Sequence, residues 1–485
     1  MSLLATKPID RIIKEADADG TVTLKRTLGP WSLIALGIGC IIGAGLFSLT
    51  GIAAGENAGP AVVLSYVVAG LGCAFAGMCY SELASMIPVA GSAYTYSYAI
   101  LGELPAWIIG WDLVLEYAVA AAVVAVAWSG YLAKLFASLN YPLPVEWTTC
   151  PFDKTTLADG TVIHGLLNLP AMFIIIVVSV LLMIGIQESS RVNFVLVLIK
   201  LAIVITVISL GWHYINWSNY HPFIPPNTGE FGHYGLSGIM QGASTIFFAY
   251  IGFDAVSTAA QEARRPQRDM FIGIVGSLAI CTVIYIVFSF ILTGMLNYKD
   301  MIGVRAPVAL AFAQTPYTKI GILVNIGIIF GFTSVILVLL LGQSRVFYAM
   351  SRDGLLPAVF SEIHPKWHTP WRSNLIFLVL VSIMAGLLPI SDLGHMTSIG
   401  TLLAFIIVCI GVIVLRRTRP KLDRPYRAPG VPVLPILGIL VCAAMMASLP
   451  LITWIRLVVW LALGLVVYFT YSRSRSKLQH PKPAR

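Results

Sequence analysis

Two stretches put glycine and charge where a membrane-crossing chain tolerates them poorly. "IIGAGLF", residues 41–47, sets Gly43 and Gly45 inside a long apolar run, and "FFAYIGFDAV", residues 247–256, sets Gly252 and Asp254 inside another. Glycine is a poor helix former, so each stretch reads as a break in a helix at mid-membrane. A break frees N–H groups on one half-helix and C=O groups on the other. The first end attracts an anion and the second a cation; an amino acid zwitterion carries both charges on adjacent groups. Gly43 and Gly45 let the backbone approach a carboxylate with no Cβ in the way, while the carbonyls of Ile41, Phe248, Ala249 and Ile251 can accept from an ammonium. Close helix packing is the competing reading, because Gly39, Gly43 and Gly45 also satisfy small-residue spacing.

Ionisable residues inside apolar spans cost about 2.5–3.5 kcal/mol each at a helix centre, so each needs a reason. Lys200, in "FVLVLIKLAIVI", lies eight residues after Val192, roughly 12 Å deep at about 1.5 Å per residue. A buried ammonium is penalised by desolvation, so a lysine there can carry a proton between two conformations; the alternative is snorkelling to the interface. Asp254 either meets a cationic substrate side chain or caps the resumed helix. Asp112 and Glu116 are four apart and share a helix face; facing the site, they would suit arginine or lysine, and Glu116 is the deeper. Thr333 and Ser334, at midspan, either floor the pocket or bond back to the preceding turn. Glu82 and Glu262 lie near helix ends and are expected to anchor loops.

The elements that must position these residues are membrane helices. The chain has 485 residues, 58% hydrophobic and 11% charged. Twelve windows of about 20 mostly apolar residues start near residues 30, 59, 104, 166, 192, 237, 270, 318, 373, 393, 432 and 451. Continuous runs favour helices over a β-barrel, which gives an all-α membrane protein. The two broken spans are the first and the sixth. Five spans is an odd offset, so the second half enters from the opposite side, the pattern of transporters built on inverted repeats.

Most of the 31 Lys and Arg fall in the two tails and the connections after even-numbered spans, which places both termini in the cytoplasm. The net charge of +9 is thus topological, with some contact to anionic lipid, and does not indicate nucleic-acid binding. The first 20 residues lack the apolar core and cleavage site of a signal peptide. Six of the seven cysteines lie in spans and Cys150 is alone outside, so no disulfide framework is expected. His364 and His368 bracket Pro365 without further ligands nearby, so no metal site is expected. A membrane enzyme would need an intramembrane histidine, a metal cluster or paired carboxylates beside a nucleophile; a primary pump would need a phosphate loop of the GxxxxGK[ST] type, which is missing.

"LGPWSLIALGIGCIIGAGLF" (28–47), "YSELASMIPVAGSAYTYSY" (80–98), "FFAYIGFDAVSTAAQEARRPQRDMFIGI" (247–274) and "SRVFYAMSRDGLLP" (344–357) resemble the amino acid, polyamine and organocation superfamily. Together with "PFIPPNTGEFGHYGLSGI" (222–239) they are most similar to bacterial relatives of the cationic amino acid transporters, the proton-coupled ApcT-like permeases. The resemblance implies a LeuT-like fold of twelve helices with the first and sixth discontinuous. A cytoplasmic tail (1–29) would precede a first five-helix repeat (30–217), an inverted second repeat (236–418), two extra helices (432–473) and a second cytoplasmic tail (474–485).

Carried onto this sequence, the family pattern puts the substrate carboxylate on the amides of Gly43, Ala44 and Gly45 and the ammonium at Ile41, Phe248, Ala249 and Ile251. Phe248 matches an aromatic gate. Lys200 stands where sodium-coupled cousins hold an ion, tying the first and eighth spans near Gly39 and Ser334. The resemblance implies proton-coupled import of L-amino acids by alternating access, with the proton as coupling ion and no cofactor. Broad specificity is expected, for small neutral substrates such as alanine, cationic ones such as arginine and lysine, or both. The acidic pair Asp112 and Glu116 departs from the animal members, which carry uncharged residues there. An exchanger without proton coupling, or an amino acid sensor, are the alternatives. Ala443 and Ala447 give the eleventh span a small-residue face that packs on the twelfth span, on a second protomer, or on a small single-span subunit. The expected location is the cell membrane, in a bacterium the inner membrane.

Overall fold

The computed structural model describes residues 3–12, 28–87, 89, 92–156, 162–185, 190–258 and 263–480. Glu262 lies outside the described residues. Among those described, seven helices are long and apolar enough to cross a membrane, and four further apolar helices are shorter: Pro30–Ile41, Leu169–Ile184, Trp371–Leu387 and Val433–Ser448. One of the seven is the helical run 45–86, which Gly59 and Pro60 divide into two segments.

In chain order the elements are α1 (Pro30–Ile41), α2 (45–58), α3 (Val62–Met86), α4 (Ser92–Ile100), α5 (Glu103–Ser138), α6 (Leu169–Ile184), α7 (Ser190–Gly211), α8 (Gly235–Ile246), α9 (Ala255–Thr258), α10 (Pro266–Met295), α11 (Thr318–Arg352), α12 (Trp371–Leu387), α13 (Ile390–Thr418), α14 (Val433–Ser448) and α15 (Leu451–Val467). The departure from an all-helical chain is a small antiparallel hairpin between α5 and α6, β1 (Lys154–Thr156) on β2 (Val162–His164). Its threonine, valine and isoleucine content suits extended backbone.

Local sequence sets the helix starts. Pro30 follows Gly29 at the first position of α1, where a missing N–H costs nothing. Asn168 caps α6 by accepting from the Ala171 amide at 3.2 Å. Burial then sorts the helices. The apolar window of α5 is 89% buried, whereas that of the last span is 22% buried and shows Ile455, Val458, Val459, Leu463 and Val466 on its surface. A helix apolar on every side and enclosed by others is central, and one with exposed valines and leucines faces lipid. Around α5 the main packings are α10 along α3 and α1, α11 along α5, α12 along α6 and α13 along α14.

Glu82, at the end of α3, anchors a loop as its position suggests. Both its oxygens accept from the Arg416 guanidinium, at 2.9 and 2.7 Å, the Ala428 amide donates at 2.8 Å, and the Arg424 guanidinium lies 3.4 Å away. This pins the connection between α13 and α14 onto α3.

Candidate site at two facing helix breaks

α1 ends where the sequence places its break. The Ile42 amide closes the helix by donating to Ile38 at 2.9 Å, and Ile42 itself is extended. The next turn begins when Leu46 and Phe47 donate to the Gly43 carbonyl at 3.2 and 3.3 Å. The amides of Gly43, Ala44 and Gly45 therefore sit at the N-terminal opening of α2, where a helix presents unpaired N–H groups. The two glycines do different work. A Cβ on Gly45 would fall 2.2 Å from the Ala249 Cα, so the two broken segments touch only because Gly45 has no side chain. A Cβ on Gly43 would reach the Val335 side chain at 3.4 Å, an ordinary contact, so packing does not demand glycine there.

The second break follows α8. A 3-10 turn, Phe247–Tyr250, gives way to Ile251 in extended conformation and to Gly252 at φ +111°, a region that disfavours any side chain. A Cβ there would also stand 3.0 Å from Cys40. Between the breaks lies a hollow lined by Cys40, Ile41, Gly43, Ala44, Gly45 and by Phe248 and Ile251, with Ala120 and Val124 from α5 and Val335 and Leu339 from α11 completing it. About 10 Å³ of it admits the centre of a water molecule. That is room for about one water, so an amino acid enters only when the surrounding helices part.

Tyr285, on α10, joins the two breaks. Its hydroxyl lies 2.8 Å from the Ile41 carbonyl and 2.8 Å from the Ala249 carbonyl. Each carbonyl keeps a second lone pair, so Tyr285 orients these acceptors without consuming them. Ala249 contributes through this bond and through its contact with Gly45 and does not itself line the hollow. The sequence signal for Tyr285 was a phenol at the centre of the apolar run "ICTVIYIVFSF", and its partners are unreadable without the fold.

Lys200 is 1% exposed, and its Nζ donates to the Gly39 carbonyl at 2.7 Å. Its stem crosses Gly331 of α11, where a Cβ would lie 3.3 Å from the lysine Cε. The snorkelling alternative is thereby overturned: the side chain points inward and spans α7, α1 and α11.

Four expected pocket residues do not line the hollow. Asp254 Oδ2 accepts from the Ser92 hydroxyl at 3.2 Å and, in a shorter bond, from the Tyr117 hydroxyl. Gly252, two residues earlier, has positive φ, and the Asp254 carboxylate faces α4 and α5. Glu116 is buried beside the Asp254 carboxyl, and Asp112 is buried with no hydrogen-bond partner among the described residues. A π-helical turn at Leu115–Val119 adds a residue to the local repeat of α5, so Ala120 and Val124 reach the hollow while Glu116, four residues earlier, does not. Thr333 bonds back to Ile329 at 3.0 Å and accepts from the Trp128 indole at 3.2 Å, and Ser334 bonds back to Gly331 at 3.0 Å. The local alternative holds for both. An intramembrane histidine is also present: His395, on α13, is 3.3 Å from the Thr245 hydroxyl and away from the hollow's lining.

A bundle of apolar helices in which two are broken face to face around a central hollow is the architecture of a multi-pass membrane protein. The chain belongs to the amino acid permease family, whose model matches residues 28–473. It is 43% identical over 477 residues to the branched-chain amino acid permease BcaP of Bacillus subtilis, and 42% identical over 477 residues to the methylthioribose transporter of the same organism; each alignment covers 98% of this chain and 99% of the relative. It is also 35% identical over 427 residues to human cationic amino acid transporter 4, covering 87% of this chain and 64% of that one. These relatives are named as transporters and permeases, in agreement with a transport rather than an enzymatic function.

Proposed function

We propose that the protein imports neutral L-amino acids together with protons by alternating access, with twelve spans, both termini in the cytoplasm and residues 30–217 and 236–418 as inverted repeats. The substrate carboxylate rests on the amides of Gly43, Ala44 and Gly45. Its ammonium meets the carbonyls of Ile41, Phe248 and Ile251, the first of which Tyr285 orients, while the Ala249 carbonyl, outside the lining, takes part only through Tyr285. Phe248 closes the site as a gate.

The observation that carries this reading is the opposition of the two helix breaks across one hollow, with N–H groups from one and C=O groups from the other. Lys200 is the proton carrier. As an ammonium it bonds Gly39, four residues before the break; on losing its proton it releases α1, so that protonation and helix position are linked. The side-chain wall of Ala120, Val124, Val335 and Leu339 is apolar and carries no carboxylate, which favours aliphatic over cationic substrates. The name of the BcaP relative accords with that preference.

The test is uptake of labelled leucine and arginine into liposomes with and without an inward proton gradient, with unlabelled methylthioribose as competitor. Gradient-driven leucine accumulation, little arginine uptake and no competition are expected. Uptake that needs preloaded amino acid and ignores the gradient would make the protein an exchanger. Strong competition by methylthioribose, which bears neither carboxylate nor ammonium, would sink the zwitterion site.

A further inference from the structure

Residues 3–12 and 468–480 meet on one face of the bundle. Residues 3–12, which precede α1, lie along the connection between α3 and α5. The Lys7 amide donates to the Tyr98 carbonyl at 3.0 Å, and the Leu104 amide donates to the Leu3 carbonyl at 3.1 Å. A Cβ on Gly102 would stand 2.5 Å from the Leu4 carbonyl carbon, so backbone touches backbone. The Lys7 ammonium pairs with Asp353, at the end of α11, at 2.7 Å, and the Tyr94 hydroxyl donates to the second oxygen of the same carboxylate at 2.7 Å. This docking ties the segment leading into the first broken helix to α4 and α11.

The C-terminal segment holds the same two anchor points from behind. Glu103, fully buried in the first turn of α5, accepts from the hydroxyls of Tyr98 and Tyr468 at 3.0 Å each, from the Gln479 amide at 2.7 Å, and from the Ser476 hydroxyl. Lys477 N donates to the Asp353 carbonyl at 3.1 Å, Ser472 donates to the Leu355 carbonyl at 2.6 Å, and the Arg475 carbonyl would be 2.3 Å from a Cβ on Gly354. Tyr98, which receives the Lys7 amide, is thus fixed through Glu103, and Asp353, which receives the Lys7 ammonium, is fixed through its own backbone. Ser472, Ser476 and Gln479 are buried while Arg473, Arg475 and Lys477 are exposed, so one face of the segment is committed to this docking.

We propose that residues 468–480 are an intramolecular brace that sets how readily residues 3–12 release, and so how often the hollow opens toward the face carrying the termini. The inference rests on the alternating-access reading above. A buried carboxylate that loses donors is left undersolvated, so the brace docks and leaves as a unit, and it stiffens the platform on which Lys7 sits.

Cys40 lines the hollow and supplies a native reporter. Cys150, outside the spans, is buried, and burial pushes its thiol up and slows its reaction. A membrane-impermeant methanethiosulfonate is applied to the face carrying the termini in sealed vesicles of known orientation, and modification of Cys40 is followed by peptide mass spectrometry. The double variant Ser476→Ala with Gln479→Ala, and separately Ser476→Asp, are expected to speed modification about tenfold, the population change produced by losing one charge-assisted hydrogen bond. Lys7→Ala is expected to speed it as much, and adding the brace substitutions to Lys7→Ala to add nothing. Unchanged rates in both brace variants at wild-type thermal stability, or additive rates with Lys7→Ala, would overturn the proposal. Wild-type leucine uptake, measured in the same vesicles, reports separately on the transport reading.

Discussion

The ammonium of Lys200 donates to the carbonyl of Gly39 at 2.7 Å, four residues before the first helix break and at a depth where neither group meets water. The bond joins α7 to the last turn of α1, and the lysine stem bears on α11, so one titratable side chain touches three helices near the hollow. Lys200→Met keeps the stem and removes the donor. Gradient-driven leucine accumulation should fall at least about tenfold, the scale of one buried charge-assisted bond, while leucine binding at fixed pH persists. Accumulation equal to wild type in liposomes would make Lys200 structural.

Tyr285→Phe removes one hydroxyl, whose single proton the carbonyls of the two breaks share. At about 0.5–1.5 kcal/mol for one hydrogen bond, leucine affinity should drop roughly two- to thirteenfold in an equilibrium binding assay, with little change in the melting temperature. An unaltered Kd would mean that the Ile41 and Ala249 carbonyls keep their positions unaided.

Gly43 and Gly45 separate two explanations that coincide in the sequence. Gly45→Ala drives a methyl into Ala249 and should cost about 1–3 kcal/mol of stability along with transport. Gly43→Ala fits against Val335 and should melt like wild type in detergent, yet on the proposed reading bind leucine poorly because the methyl obstructs the approach of the carboxylate. Equal losses of stability in the two variants would refute this division of labour.

Glu116→Gln should leave the preference for leucine over arginine unchanged, since Glu116 does not line the hollow. Val124→Asp, placing a carboxylate on the wall itself, should raise arginine uptake relative to leucine. Competition assays with the two amino acids read both results; a selectivity change in the first variant would return Glu116 to the pocket.

Removing the carboxylate of Glu82 strands Arg416 and Arg424 beside it. Glu82→Ala should destabilise the protein by about 3–5 kcal/mol, the usual cost of breaking a buried ion pair from one side, visible as a large fall in the thermal-unfolding midpoint. A midpoint within a degree or two of wild type would show that solvent already screens the pair.

What was legible in the sequence was whatever depends on position along one span. The glycine breaks and the loop-anchoring place of Glu82 follow from spacing and charge, whereas the place of Lys200 beside Gly39 was implied by the family resemblance alone. What was illegible depends on how a helix is rotated. The π-helical turn in α5 redirects Glu116, Asp254 faces α4 and α5 two residues past the positive φ of Gly252, and neither is encoded in hydrophobic periodicity. Thr333 and Ser334 satisfied themselves within α11, as small hydroxyls in apolar helices do. Tyr285 went unnoticed because its role is defined by two carbonyls far away in the chain.

The ion pair at Glu82 also fixes an order of assembly. Arg416 follows Glu82 by 334 residues, and at roughly 5–20 residues per second a ribosome needs about 17–70 s to make that stretch. Throughout that interval the Glu82 carboxylate has neither Arg416 nor Arg424 to meet. The corner where α3, α13 and the loop to α14 join is therefore sealed late in synthesis, and a nascent chain halted before Arg416 carries an open acidic site on its second span.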